Sequence, residues 1–139
     1  MSINQIQDTI IEEFGLFDQW MDKYEYIIDL GKKLPLIAEQ YKTDDHLIPG
    51  CQSQVWLRAE LDNGAVKFTA DSDAIITKGI IALLVRVLAG QKPEDIAAAD
   101  LYFIAAIGLK EHLSSTRSNG LVSMVNSLKS IGREFSKVH

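Results

Sequence analysis

Asn63-Gly64 lies between two stretches whose apolar residues recur at every second position. In Val55–Leu61, the residues Val55, Leu57, Ala59 and Leu61 alternate with Trp56, Arg58 and Glu60. In Ala65–Ala70, the residues Val66, Phe68 and Ala70 share one side. A two-residue Asn-Gly loop takes positive φ at both positions, the type I′ turn that matches strand twist. That loop fixes a register in which Leu61 faces Val66, Ala59 faces Phe68 and Leu57 faces Ala70. All six side chains then fall on one face, so turn chemistry and periodicity agree. The predicted hairpin spans 52–61 and 65–71, with His46–Ile48 as a candidate short third strand. Two strands alone are marginal, so helices or a third strand must cover the apolar face.

The remaining chain reads helical. Ile3, Ile6, Ile10, Ile11 and Phe14 have helical spacing, with Gly15 as a stop. Asp18 is a candidate cap for a helix carrying Trp20, Tyr24, Ile27 and Ile28, which ends near Gly31. Pro35 opens a short segment to about Gln40, and Tyr41–Gly50 reads as a loop closed by Pro49-Gly50. Ile75, Ile76, Ile80, Leu83, Leu84, Val87 and Leu88 form a wide band, which predicts a central helix stopped near Gly90. Pro93-Glu94-Asp95 opens a short helix, and Asp100 is a candidate cap for another over Leu101–Ile107. Leu121, Met124, Val125, Leu128, Ile131 and Phe135 mark a last helix. The expected architecture is α+β: a single domain over 1–139, with a small antiparallel sheet packed by helices. A chain of 139 residues is long enough to bury one core.

Composition excludes several functions. Lys+Arg number 14 and Asp+Glu 19, a net charge of −5, which argues against nucleic acid and anionic membranes as partners. The apolar stretch Gly79–Gly90 contains Arg86 and is too short to span a bilayer. The N-terminus shows no secretory pattern. The one cysteine permits no internal disulfide, so a reducing cytoplasmic setting is the expectation. One cysteine and three histidines (His46, His112 and His139) also leave no four-cysteine zinc site or cysteine-ligated iron–sulfur cluster. No phosphate-binding glycine loop, dinucleotide fingerprint or serine-hydrolase elbow is present.

The chemistry-bearing candidate is Cys51. A free cysteine usually fills space in a core. This one follows the turn Pro49-Gly50 and precedes the polar Gln52-Ser53-Gln54, where a loop enters a strand. Strand parity would lean the thiol toward the core side of the sheet edge. Extending the register places Ser72 opposite Val55 and Asp73 opposite Gln54, so the next helix begins near Cys51. Asp71-Ser72-Asp73 then reads either as an N-cap of that helix or as part of the site. Arg117 is a candidate for binding an anion or carboxylate, against a surface ion pair or a capping contact. Cys51 with His46 or His112 as base would make a small cysteine hydrolase or transferase. A non-catalytic interaction domain, with Cys51 incidental, is the third reading.

Gly50-Cys51-Gln52-Ser53-Gln54-Val55-Trp56, Asp71-Ser72-Asp73-Ala74 leading to Lys78-Gly79, His112-Leu113 and Arg117-Ser118-Asn119-Gly120-Leu121 together resemble the SufE/CsdE family of sulfur acceptors. Tyr26-Ile27-Ile28-Asp29-Leu30-Gly31 and Leu34-Pro35 fit the same pattern, so the resemblance runs from about Tyr24 to the final helix. It implies an IscU/SufE-like fold and a persulfide carried on Cys51. The sulfur would come from a SufS/CsdA-type cysteine desulfurase, which the acceptor stimulates, and pass to a SufBCD-type iron–sulfur scaffold. It implies no bound cofactor, since pyridoxal phosphate belongs to the desulfurase. One nucleophilic thiolate suffices for such transfer. Gly50, Gln52, Ser53, Gln54, Asp73 and Arg117 are the candidate surroundings or partner contacts.

Overall fold

The hairpin forms in the register dictated by Asn63-Gly64. In the computed structural model, which describes residues 1–137, β1 (Val55–Asp62) pairs antiparallel with β2 (Ala65–Ser72). Leu61 faces Val66, Ala59 faces Phe68, Leu57 faces Ala70 and Val55 faces Ser72. Asn63 has φ 53° and Gly64 φ 81°, as the turn requires. Val55, Leu57, Val66, Phe68 and Ala70 are buried, while Ala59 and Leu61 near the turn are half-buried.

The predicted hairpin started too early. Residues 52–54 lie outside β1, because the Asp73 carboxylate accepts the Gln54 N–H at 3.0 Å. A side chain thus replaces the next backbone rung, and only the Asp73 N–H to Gln54 carbonyl bond (3.3 Å) continues the pairing. The third strand does not form among the described residues. Leu47 makes a single antiparallel bridge to Trp56, and the opposite edge carries a parallel bridge from Leu36 to Ala70. Pro49-Gly50 turns the chain away after Ile48.

Among the described residues six α-helices surround the sheet: α1 (Ile3–Phe14), α2 (Trp20–Gly31), α3 (Ile75–Leu88), α4 (Pro93–Ala98), α5 (Phe103–Ala106) and α6 (Ser115–Ser136). Single 3₁₀ turns occupy Glu39–Tyr41, Asp44–His46 and Lys110–His112. The band on α3 forms but is shifted: Ile76, Ile80, Leu83, Leu84, Val87 and Leu88 are buried as predicted and Ile81 joins them, whereas Ile75, the first residue of the helix, is 69% exposed because it precedes the packed turns. The helix is central because almost every side of it meets another element.

Three capping expectations fail. Gln19 rather than Asp18 precedes α2, and Tyr102 rather than Asp100 precedes α5, which is shorter than the predicted helix. Ala74 precedes α3 with no side-chain cap. The acids near α3 are spent otherwise. Asp71 pairs with Lys42 at 2.7 Å and Lys78 at 3.3 Å, and Asp73 bonds the loop. Burial raises the Asp71 carboxyl, but the Lys42 ammonium, the Ser72 N–H and Lys78 outweigh it and hold it below its usual value. Lys42 also lies over the Trp56 ring at 5.4 Å, so Trp56 is covered by a cation on the outer sheet face.

α1 is tied to α3 by Arg86, whose guanidinium donates two bonds to Glu13 at 2.8 and 2.7 Å. The Tyr26 hydroxyl donates to the same carboxylate. The Arg86 bonds, with a smaller share from Tyr26, keep Glu13 below the usual carboxylate range despite its burial. A lowered folded value means stability that is present above the unfolded value and lost as pH falls through the folded one. The Glu13 side chain is 29% exposed, so solvent screening limits the loss to about 1 kcal/mol. Glu13→Gln should therefore flatten the acid limb of a urea-unfolding series between about pH 5 and 3. An acid limb identical to that of the unsubstituted chain would refute this assignment.

Candidate functional site

Gly50 has φ +83°, a conformation that disfavours any side chain, and an added Cβ would lie 2.5 Å from Ser123 Oγ. This glycine sends the chain from the Pro49 turn onto α6. Cys51 follows immediately, half-buried and free. Its Sγ donates to the Gly120 carbonyl at 3.6 Å. The thiol is thus shielded by α6 rather than by the sheet edge, which corrects the parity expectation: Cys51 precedes the strand and has no strand parity to follow.

Cys51 lines a small cavity of about 100 Å³ with Gln52, Ser53, Thr77, Ile80, Thr116, Arg117, Gly120 and Met124. Helix α3 contributes Thr77 and Ile80, one turn apart. Helix α6 contributes Thr116, Arg117, Gly120 and Met124 along one face. Among the described residues, Arg117 is the only charged one in this lining. Burial alone pushes the Cys51 thiol above its usual value, and no charged group pulls it back. The resting sulfur is therefore a protonated thiol, with its hydrogen aimed at a carbonyl.

Of the predicted residues, Cys51, Gln52, Ser53 and Arg117 meet at this cavity. Gln54 and Asp73 are joined beside it by the bond that ends the sheet, and both are exposed. Gly50 is the turning point. The histidines are not brought in. His46 lies against Thr43 and edge-on to Tyr41, and His112 stacks on Trp20 at 4.0 Å with its Nδ1 against the Gly108 carbonyl. His139 lies outside the described residues. A base beside the thiol is what a hydrolase needs, and neither described histidine lines the cavity. A larger groove of about 560 Å³ runs between His46–Pro49 and α6 but does not include Cys51. Chemistry rather than size identifies the site.

Sequence reasoning missed Thr77, Thr116, Gly120 and Met124 as cavity walls. Thr77 carried a signal, being a polar residue inside an apolar helix, and it is 6% exposed. It also missed Tyr24 as a partner of Arg117: the Arg117 guanidinium donates to the Tyr24 hydroxyl at 2.9 Å.

Comparison with known proteins agrees with the resemblance. A family model described as SufE, Fe-S metabolism associated domain, matches residues 8–131. An uncharacterized SufE-like protein of Rhizobium etli is 43% identical over 127 residues, covering 88% of this chain and 86% of that protein. A second, from Rhizobium meliloti, is 40% identical over 128 residues, covering 88% and 91%. The solution structure of a hypothetical protein from Thermus thermophilus superposes with a TM-score of 0.76, covering 93% of this chain and 94% of that one. At 20% identity, that likeness speaks for the α+β fold alone. The matched domain places the chain in iron–sulfur metabolism and supports a role in sulfur transfer. The protein belongs to the SufE family.

Proposed function

We propose that this protein accepts sulfur on Cys51 from a cysteine desulfurase of the SufS/CsdA type, stimulates that enzyme by clearing its persulfide, and delivers the sulfur to a SufBCD-type scaffold. In the step proposed, the Cys51 thiolate attacks the terminal sulfur of the donor persulfide. A new sulfur–sulfur bond forms at Cys51, the donor's own sulfur–sulfur bond breaks, and the donor leaves as a thiolate. The exchange is redox-neutral overall: Cys51 goes to the persulfide level as the donor cysteine returns to a thiolate, so no external oxidant and no cofactor of this chain is needed.

The observation that carries this reading is the setting of Cys51. A lone thiol occupies a tight turn over a small cavity with no base beside it among the described residues. That setting suits a group that waits protonated and reacts when a partner presents the sulfur. It does not suit a hydrolase, which would hold a base ready. The loop around Cys51 has to shift for the donor to reach the sulfur, because the thiol points at Gly120.

The test is intact mass after incubation with a SufS-type desulfurase and free cysteine. One added sulfur is expected, removable by reductant and absent in Cys51→Ser. No added sulfur, or equal addition to Cys51→Ser, would sink the proposal.

A further inference from the structure

We propose that Tyr24 is a positioning residue: its hydroxyl holds the Arg117 guanidinium at the Cys51 cavity, where that charge meets a sulfur added to Cys51. The inference rests on the reading of Cys51 as a sulfur acceptor, and it names a residue that acts through another.

Four observations carry it. The first is the 2.9 Å bond from Arg117 to the Tyr24 hydroxyl, which joins α6 to α2 across 93 residues of sequence. The second is that Tyr24 is itself held. Trp20, one turn earlier on α2, lies 5.8 Å from its ring and stacks on His112, which lies just ahead of α6. The Ser118 hydroxyl donates to the Lys110 carbonyl and closes the same corner. The third is that Arg117 lines the cavity but leaves the thiol unpaired, since Sγ donates to Gly120 instead. The fourth is size: the cavity is large enough for one further sulfur atom beside Cys51. A second sulfur extends the side chain beyond Sγ and moves the anionic charge to its far end. Arg117, the one cation lining the cavity among the described residues, then faces the added atom rather than the resting thiol. An opposite charge close to an acid favours its ionised form.

The other titratable groups at this corner are few. Lys23 lies over the Trp20 ring at 5.7 Å, His112 stacks on the same ring, and Asp73 is engaged by Gln54. None of these lines the cavity. A pH profile of the loaded cysteine therefore reads the Arg117 contribution.

The experiment needs no desulfurase. Sodium tetrasulfide loads the purified chain: the Cys51 thiolate attacks a terminal sulfur, a bond forms to it, and trisulfide dianion departs. Alkylation by iodoacetamide is then followed against pH for the loaded and unloaded forms of the unsubstituted chain, Tyr24→Phe, Arg117→Gln and the double variant. Melting curves check that each is folded. Tyr24→Phe removes one oxygen, and Arg117→Gln alters an exposed side chain.

The expected result is that Tyr24→Phe raises the inflection of the loaded form by about one pH unit and leaves that of the unloaded thiol in place. Arg117→Gln should raise it at least as much, and the double variant no further. An unchanged inflection in Tyr24→Phe overturns the proposal. So do an equal shift in the unloaded thiol, additive shifts in the double variant, or failure of the unsubstituted chain to take sulfur from tetrasulfide. A chain that loads from tetrasulfide but not from a desulfurase would refute the sulfur-acceptor function while leaving the Tyr24 result intact.

Discussion

Gly79→Ala is expected to lower unfolding stability by about 3 kcal/mol or more, enough to leave a chain of this size marginal. Helices α2 and α3 meet backbone to backbone. A Cβ built on Gly79 would stand 2.6 Å from Ile27 Cγ2 and closer still to the Ile27 carbonyl oxygen. On the facing helix, a Cβ at Gly31 would come within 3.0 Å of the Gly79 nitrogen. The nearest obstacle at each glycine is a main-chain atom of the packed partner helix, which no rotamer change relieves; the helices have to separate. Gly120→Ala is the control. Its added Cβ would sit 3.6 Å from Cys51 Sγ, an ordinary contact, and alanine is the better helix former by about 1 kcal/mol. Urea titration of both variants decides the matter. Equal midpoints for Gly79→Ala and the unsubstituted chain would show that the contact is not tight.

Gln7→Ala should cost about 3 kcal/mol by the same assay. Gln7 is 0% exposed on α1, and its amide is fully engaged. Its Nε2 donates to the Asp100 carbonyl at 3.0 Å and to Asn4 Oδ1 at 3.3 Å, and its Oε1 accepts the Phe103 N–H at 3.1 Å. That N–H opens the short helix α5, whose preceding residue Tyr102 offers no side-chain cap. Truncation therefore leaves a cavity together with a buried donor, the Phe103 N–H, and a part-buried acceptor, the Asp100 carbonyl, without their partner. Gln7→Leu refills the volume and leaves the two orphans, so about 1–3 kcal/mol of the loss should remain. A change below about 0.5 kcal/mol in Gln7→Ala would place this residue among ordinary surface sites and refute the assignment.

Gln7 also shows where sequence reading stops. It sits on the apolar stripe of α1 between Ile3 and Ile10, yet nothing local reveals that its partners lie 93 and 96 residues away. The hairpin was legible because turn and strands are contiguous and a one-residue slip would expose every apolar side chain. The stripes of α1, α3 and α6 were legible for the same reason. The caps were not. Asp71 and Asp73 look like capping residues locally, and their partners Lys42, Lys78 and Gln54 are set by tertiary packing. Cys51 stood out by its polar neighbours and the Gly50 turn, but its shield arrives from Gly120, 69 residues on. The pairing of Tyr24 with Arg117 was invisible for a related reason: each residue has an ordinary explanation within its own helix.

The raised, half-buried thiol has a consequence for chemical durability. Peroxides attack thiolates, and damage to a cysteine follows its ionised fraction and its exposure. At rest Cys51 is half-buried, and burial keeps its ionised fraction low. Burial thus slows reagents that need a thiolate: at neutral pH a small oxidant diffusing past meets mostly the protonated S–H, and the reaction quickens as pH rises toward the thiol's own pKa. The chain needs no second cysteine to guard the first.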